Sequence, residues 1–199
     1  MLYEEIPSLD LSDFTEGSPE SRAKFVADLG QAYNNIGFVA IKNHGLSDQL
    51  TNNLYDAVKK FFALPDTVKQ KYEVPELAGQ RGYIGKNKEH AKGRTTADLK
   101  EFFHVGQNVE GDDPIKEEYP DNIWVEEVPE LEKYGLEAYK TLESAGVNML
   151  RAIALYLNLE ENYFDDKVVN GNSILRPIHY FPIDNPEEVP EDAVRAAEH

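Results

Sequence analysis

Four histidines, His44, His104, His179 and His199, are the side chains best suited to chemistry in this sequence. An imidazole can hold a metal or move a proton near neutral pH. Their settings differ. His44 lies in Asn43-His44-Gly45, a turn sequence with no carboxylate or second histidine at ligand spacing, so it is expected to shape its loop. His104 sits inside the apolar run around Phe102, Phe103 and Val105 and is expected to be a hydrogen-bonded core histidine. His179 precedes Tyr180 on a strand-like stretch; the two side chains alternate to opposite faces, and His179 reads as structural. His199 ends the run Arg195-Ala196-Ala197-Glu198. A strand, a loop and a further short strand closing on a histidine is how a β-barrel presents a metal ligand at its mouth. The sequence has no cysteine, which excludes thiolate zinc sites and disulfides.

A second kind of chemistry is the capture of anions. Between Gln80 and Lys100, six cations (Arg81, Lys86, Lys88, Lys92, Arg94 and Lys100) face two acids, Glu89 and Asp98, in a segment loosened by Gly79, Gly82, Gly85 and Gly93. Such a loop can clamp an anionic small molecule. A solvated loop whose cations balance nearby acids is the expectation for most of these residues.

Elements that could position these groups follow from local signals. Ile6–Leu11 alternates as a short edge strand. Ser18-Pro19 opens a helix whose apolar residues Phe25, Val26, Leu29, Ala32, Tyr33 and Ile36 recur at three and four. Gly37 ends it, and Phe38–Ile41 reads as a buried strand. Ser47 caps a second amphipathic helix through Phe61, broken at Leu64-Pro65 and followed by a short charged helix towards Tyr72. Leu99–Val105 reads as a strand with aromatics on both faces. The acidic, proline-bearing stretch Glu110–Glu132 reads as a surface excursion pinned by Trp124. A long helical pattern runs from Pro129 to Leu159, with Gly135 and Gly146 predicting a kink or close packing. Ile174–Phe181 is strand-like, ended by Pro182 and Pro186.

Composition sets outer bounds. With 199 residues the chain can bury a real core. Its net charge of −17 argues against nucleic acid or an anionic membrane as principal partner. The start, MLYEEIPSLD, lacks the layout of a secretory signal, and no apolar run approaches the ~20 residues a bilayer span needs. A soluble, cytoplasmic protein is expected.

Four stretches together carry a resemblance: IPSLDL at Ile6–Leu11, IGFVAIKNHG at Ile36–Gly45, FFALPDTVKQKY at Phe61–Tyr72, and LRPIHYFPI followed by RAAEH near the end. In this order they resemble the bacterial branch of the isopenicillin N synthase-like, 2-oxoglutarate- and Fe(II)-dependent oxygenases, over nearly the whole chain. The resemblance implies that His199 is one iron ligand, opening a His-x-Asp pair that a distal histidine completes; the partners are not in this sequence. It implies that Tyr180 contacts 2-oxoglutarate, since Arg176-Pro-Ile-His-Tyr-Phe-Pro-Ile183 aligns without gaps with Arg-x-Asn-Tyr-Tyr-Pro-Pro-Cys, although Ile178 replaces the asparagine. Arg81 and Tyr83 correspond to an Arg-Gly-Tyr region that lines the substrate pocket in similar penicillin-forming enzymes. His44 and its NHG turn correspond to a structural feature.

The expectations are then definite. The fold is α+β, with helices near residues 18–36, 47–63 and 130–158 packed on an incomplete antiparallel double-stranded β-helix, or jelly roll, and without parallel strands joined by βαβ crossovers. Residues 1–110 form the dioxygenase N-terminal region and 111–199 the long backing helix with the first part of the oxygenase domain. The intact protein oxidises a small molecule with O2, using Fe(II) and 2-oxoglutarate, while the chain as given is an inactive part. The alternatives are an oxidase that needs no 2-oxoglutarate and a non-catalytic binding module built on the same fold.

Overall fold

Ser18 and Pro19 start a helix where the sequence says they should. The computed structural model describes residues 5–89, 96–109, 111–183, 185, 187, 189–190 and 193–196. It divides into two compact units, Met1–Thr51 with Glu137–Gly171, and Asn52–Leu136 with Asn172–His199.

In the first unit, strand β1 (Ser8–Asp10) leads directly into helix α1 (Leu11–Thr15), because the Asp10 carboxylate accepts from the Ser12 backbone N–H at 3.0 Å and caps it. Helix α2 (Pro19–Asn35) begins under the Ser18 hydroxyl, which accepts from Ser21 N–H at 3.2 Å. Strand β2 (Ala40–Lys42) returns beside β1 with Ser8 opposite Ala40 and Asp10 opposite Lys42. This pair is parallel, with α1 and α2 forming the crossover, so the expectation of antiparallel pairing throughout is corrected here. Two helices between the strands carry the chain back to its starting end, which a tight hairpin cannot do. The core of this unit gathers Leu11, Phe14, Phe25, Leu29 and Ala152, with Val39, Ile41 and Met149 packed against it. Phe38, expected inside, is 67% exposed: it lies before the paired residues, and the inward positions go to Val39 and Ile41.

Helix α3 (Asp48–Phe62) is capped by Ser47, whose hydroxyl accepts from Leu50 N–H at 3.1 Å. The unit division falls within α3 and again within helix α5 (Glu130–Tyr156), which runs uninterrupted through Gly135 and Gly146. The close packing expected at these glycines is not found either: an added carbon at Gly135 would meet Val105 at 3.6 Å, an ordinary contact, and at Gly146 it would meet nothing within 4 Å among the described residues. Helix α6 (Asp165–Val168) is tied back to α5 by a two-pronged Arg151–Asp165 pair at 2.7 and 3.1 Å.

The second unit holds helix α4 (Asp66–Lys69), a 3-10 turn at Gln70–Tyr72, and an antiparallel sheet centred on β4 (Glu101–Gly106). One edge is β3 (Gly82–Ile84), pairing Gly82 with His104 and Ile84 with Phe102. The other edge is made of two pieces, β5 (Ile174–Leu175) and β6 (Ile178–His179). They keep one register on β4, since Gly106 faces Ile174 and Glu101 faces His179. They are therefore a single strand interrupted at Arg176-Pro177, where proline has no N–H for the ladder but its carbonyl still accepts from Phe103 N–H at 3.0 Å. All six β4 residues are buried. The core here centres on Phe61, whose ring meets Phe62, Tyr83 and Phe103 at 5.1–5.7 Å, mostly edge to face. Trp124 and Ile123 pack on the same core, so the acidic excursion is pinned as expected. Among the described residues no helix is long and apolar enough to cross a membrane.

Candidate functional site

β4 runs between β3 on one side and β5 with β6 on the other, so the surroundings of its side chains depend on both edges of the sheet. Glu101 is the odd member of this apolar strand: a carboxylate only 1% exposed. A buried charge needs partners, and Glu101 has three. Lys69 Nζ, at the end of α4 and itself 2% exposed, donates to Oε2 at 2.7 Å; the Tyr83 hydroxyl on β3 donates to the same oxygen at 2.5 Å; and His179 Nδ1 on β6 donates to Oε1 at 2.7 Å. Lys69 also pairs with Asp66 at 3.0 Å, and the His179 ring stacks on Phe62 with centroids 5.0 Å apart. Burial pushes the Glu101 carboxyl upward, but the hydrogen bonds from Lys69, Tyr83 and His179 outweigh it and hold the group below the usual carboxylate range. The Tyr83 phenol is driven the other way, upward, first by burial and then by its bond to the Glu101 carboxylate, so it remains a donor. The cluster joins α4, β3, β4 and β6.

A second cluster lies further along β4. His104 Nδ1 donates to the Gly79 carbonyl at 2.6 Å, and its Nε2 accepts from Arg176 Nε at 2.6 Å. One nitrogen donates and the other accepts, so the ring is neutral. Burial pushes its pKa below the ordinary histidine range, the neighbouring Arg176 guanidinium adds to that, and the Gly79 carbonyl opposes it. His104 is the satisfied core histidine that its apolar surroundings suggested. Arg176 also lies 4.5 Å over the Phe102 ring and within 3.4 Å of Glu89.

The other residues singled out by sequence are placed as follows. His44 Nδ1 accepts from Leu46 N–H at 3.3 Å, the loop-shaping role expected of it. Arg81 is 1% exposed; it donates to the Gln80 carbonyl at 2.8 Å, and its guanidinium lies flat against Gly106, where any side chain would collide with it at 2.0 Å. Tyr83 is 3% exposed and committed to Glu101. Tyr180, one residue beyond β6, is 42% exposed. His199 lies outside the described residues, while nearby Val194 is anchored by its carbonyl, which accepts from Leu99 N–H at 2.9 Å. Among the described residues no three His, Asp or Glu side chains stand together as a metal site. In the described part of the basic loop the cations balance nearby acids: Lys86 pairs with Asp66, Lys88 with Glu73, and Lys100 with Glu89 and Asp98, while Lys92 and Arg94 lie outside the described residues. A cavity of about 310 Å³ beyond the Gly106 end of β4 is lined by Gln107, Lys116, Tyr119, Asn122 and Trp124; it includes none of Arg81, Tyr83 and Tyr180.

The Glu101 cluster was not anticipated. Its signal was present in Leu99-Lys-Glu-Phe-Phe-His-Val105, an acid in the middle of a strand otherwise built to be buried.

Comparison with known proteins agrees with this architecture. The family described as non-haem dioxygenase in morphine synthesis, N-terminal, matches residues 6–127. A proline hydroxylase of Petromyces alliaceus is 33% identical over 183 residues, covering 88% of this chain and 55% of its own length. A 2-oxoglutarate-dependent dioxygenase of Aspergillus flavus is 29% identical over 204 residues with the same two coverages. Among solved structures, a 2OG-Fe(II) oxygenase family protein of Caulobacter crescentus superposes with a TM-score of 0.80 at 33% identity, over 90% of this chain and 57% of that one. A full-length Neurospora crassa protein in complex with alpha-KG gives a TM-score of 0.77 at 26% identity over 100% of this chain and 62% of that one. The chain thus spans little more than half the length of the curated relatives it matches. With a family match over more than half of its residues and this fold beneath it, the chain belongs to the non-haem 2-oxoglutarate/Fe(II) oxygenases, of which it carries the N-terminal portion.

Proposed function

We propose that the whole protein is a 2-oxoglutarate-dependent, Fe(II)-dependent oxygenase that oxidises a small molecule, and that this chain supplies its helical front and the first strands of a jelly roll. The observation that carries the reading is Tyr180. Tyr180, one residue beyond β6, is 42% exposed, and the gapless alignment with Arg-x-Asn-Tyr-Tyr-Pro-Pro-Cys matches it to a tyrosine that contacts the cosubstrate. Relatives are named 2-oxoglutarate-dependent dioxygenases, and one neighbouring structure holds alpha-KG, which supports the same cosubstrate. In this reading the Tyr180 hydroxyl donates to a 2-oxoglutarate carboxylate. The iron, with 2-oxoglutarate and O2, supplies the oxidising power for attack on a substrate C–H bond. The described residues do not by themselves make an iron site, so His199 is proposed as one ligand of a two-histidine, one-carboxylate set completed by residues this chain does not contain.

For Arg81 and Tyr83 the proposal is narrower. Both are buried, so what they give a substrate pocket is the shape and charge of the wall that β3 forms. The division into an N-terminal region at 1–110 and a following oxygenase region, and a cytoplasmic setting, belong to the same proposal. An oxidase that needs no 2-oxoglutarate is the competing reading, favoured by Ile178, an alkyl side chain where the pattern has a carboxamide.

The test compares the 199-residue chain with one extended through the C-terminal half its relatives possess. One imidazole is a poor Fe(II) site, because affinity comes from several ligands held in geometry. The short chain is expected to bind iron weakly and make no succinate. The extended chain should bind one iron and form succinate from 2-oxoglutarate, and His199→Ala there should abolish turnover. Tight iron binding with succinate formation by the short chain, or full activity of the extended His199→Ala variant, would refute the assignment. Oxygen uptake that is indifferent to 2-oxoglutarate would favour the oxidase.

A further inference from the structure

The short strand that leads into Tyr180 has little to hold it. β6 has two residues, and it is flanked by Pro177 and Pro182, neither of which donates to a ladder. On its outward side Ile178 and Tyr180 are both exposed, and Tyr180 makes no hydrogen bond among the described residues. On its inward side His179 is fixed twice, by the 2.7 Å bond from Nδ1 to Glu101 and by stacking on Phe62. Glu101 in turn cannot swing, because Lys69 and Tyr83 hold its other oxygen. His179 is held inward while its neighbours Ile178 and Tyr180 are exposed, the alternation of extended chain, so a rotation of the chain about its own axis moves His179 and Tyr180 together.

We infer that His179 is a positioning residue for cosubstrate binding: its imidazole, clamped to the buried Glu101 carboxylate, sets the rotation of β6 and thereby aims the Tyr180 phenol. The inference rests on the reading of Tyr180 as a 2-oxoglutarate contact. It assigns a task to Glu101, Lys69 and His179, which the proposed chemistry does not otherwise use. Without the clamp the two-residue strand can twist, and a misplacement on the order of 1 Å is enough to spoil a directed contact.

The test is calorimetric binding of 2-oxoglutarate to the full-length protein loaded with Zn(II) in place of iron, so that the readout is affinity and not turnover. Tyr180→Phe is expected to weaken binding about 10- to 100-fold, the loss of one hydrogen bond to a charged group. His179→Phe keeps a ring to stack on Phe62 but removes the bond to Glu101, and should weaken binding by a similar factor; His179→Leu serves if that variant does not fold. The double variant with Tyr180→Phe should be no weaker than the worse single. His179→Asn, whose side-chain N–H can replace Nδ1–H, should restore binding to within about three-fold of the parent if one hydrogen bond is the cause. If Tyr180→Phe weakens binding while His179→Phe does not, the positioning role is wrong and the cosubstrate reading stands. If the two losses multiply, His179 acts by some route other than Tyr180 and the inference is overturned. If Tyr180→Phe leaves binding unchanged, the cosubstrate reading fails and the inference falls with it.

Discussion

Lys69→Met removes the ammonium that pairs with the Glu101 carboxylate while keeping most of the apolar stem. Lys69 and Glu101 are 2% and 1% exposed and 2.7 Å apart, so neither is screened by solvent. Breaking such a pair leaves an uncompensated buried charge and costs about 3–5 kcal/mol. That is a large share of the ~5–15 kcal/mol that holds a typical domain together, and it corresponds to a fall in Tm of roughly 6–20 °C for a chain of this size. The pH dependence gives a sharper signature. In the parent, Glu101 has a folded pKa below its unfolded value, so its contribution is present above the ordinary carboxylate range and is lost as pH falls through the folded value. Without Lys69 burial is no longer outweighed to the same extent, the carboxyl takes up a proton more readily, and the variant loses less on acidification than the parent does. The gap between the two should therefore be widest near neutral pH and narrow towards about pH 4. Urea unfolding followed by the single tryptophan, Trp124, which packs on the same core, measures this directly. Adding Glu101→Gln to Lys69→Met should cost less than the sum of the single changes, by roughly 0.5–3 kcal/mol. A loss under about 1 kcal/mol for Lys69→Met, or a gap that does not change with pH, would refute the reasoning.

Two further outcomes are expected from the same sheet. His104 has a folded pKa below its unfolded value, so the unfolded chain takes up a proton first and stability drops as pH falls below about 6.5. In His104→Gln the carboxamide can still donate to Gly79 and accept from Arg176 but cannot titrate, and the slope of stability between pH 7 and 5 should flatten when measured by denaturant midpoints. Gly82→Ala should be severely destabilising, by about 3 kcal/mol or more, because φ is +79° there and the added carbon would sit 2.5 Å from the Tyr72 carbonyl. A midpoint within 0.5 M urea of the parent's, about 1 kcal/mol or less at ordinary slopes, would show that the loop relaxes around it.

The local signals and the pairings differ in what they can specify. Ser18-Pro19 and Ser47 name the starts of α2 and α3 because a cap is a bond between neighbours in sequence, and it forms in the structure as read. The length of α5 was legible from its apolar period, but a kink at Gly135 or Gly146 was not to be had from propensity alone, since packing along the helix overrides a weak preference. The parallel pairing of β1 with β2 was hidden for the opposite reason: a three-residue strand states its own pleat and nothing about its partner. Phe38 shows the same limit, because which of Phe38, Val39 and Ile41 turns inward depends on a register fixed thirty residues away.

By itself the sequence determined the class of protein and the structural character of His104 and His44, because these rest on residue type and on near neighbours. It also named Tyr180 as a candidate. Only the tertiary structure decided that Glu101, Lys69, Tyr83 and His179 form one buried cluster. The four come from α4, β3, β4 and β6, separated by up to 110 residues. Charges so far apart in sequence carry no mark of being partners; it is the low polarity of the interior they share, and the cost of burying any of them alone, that brings them together.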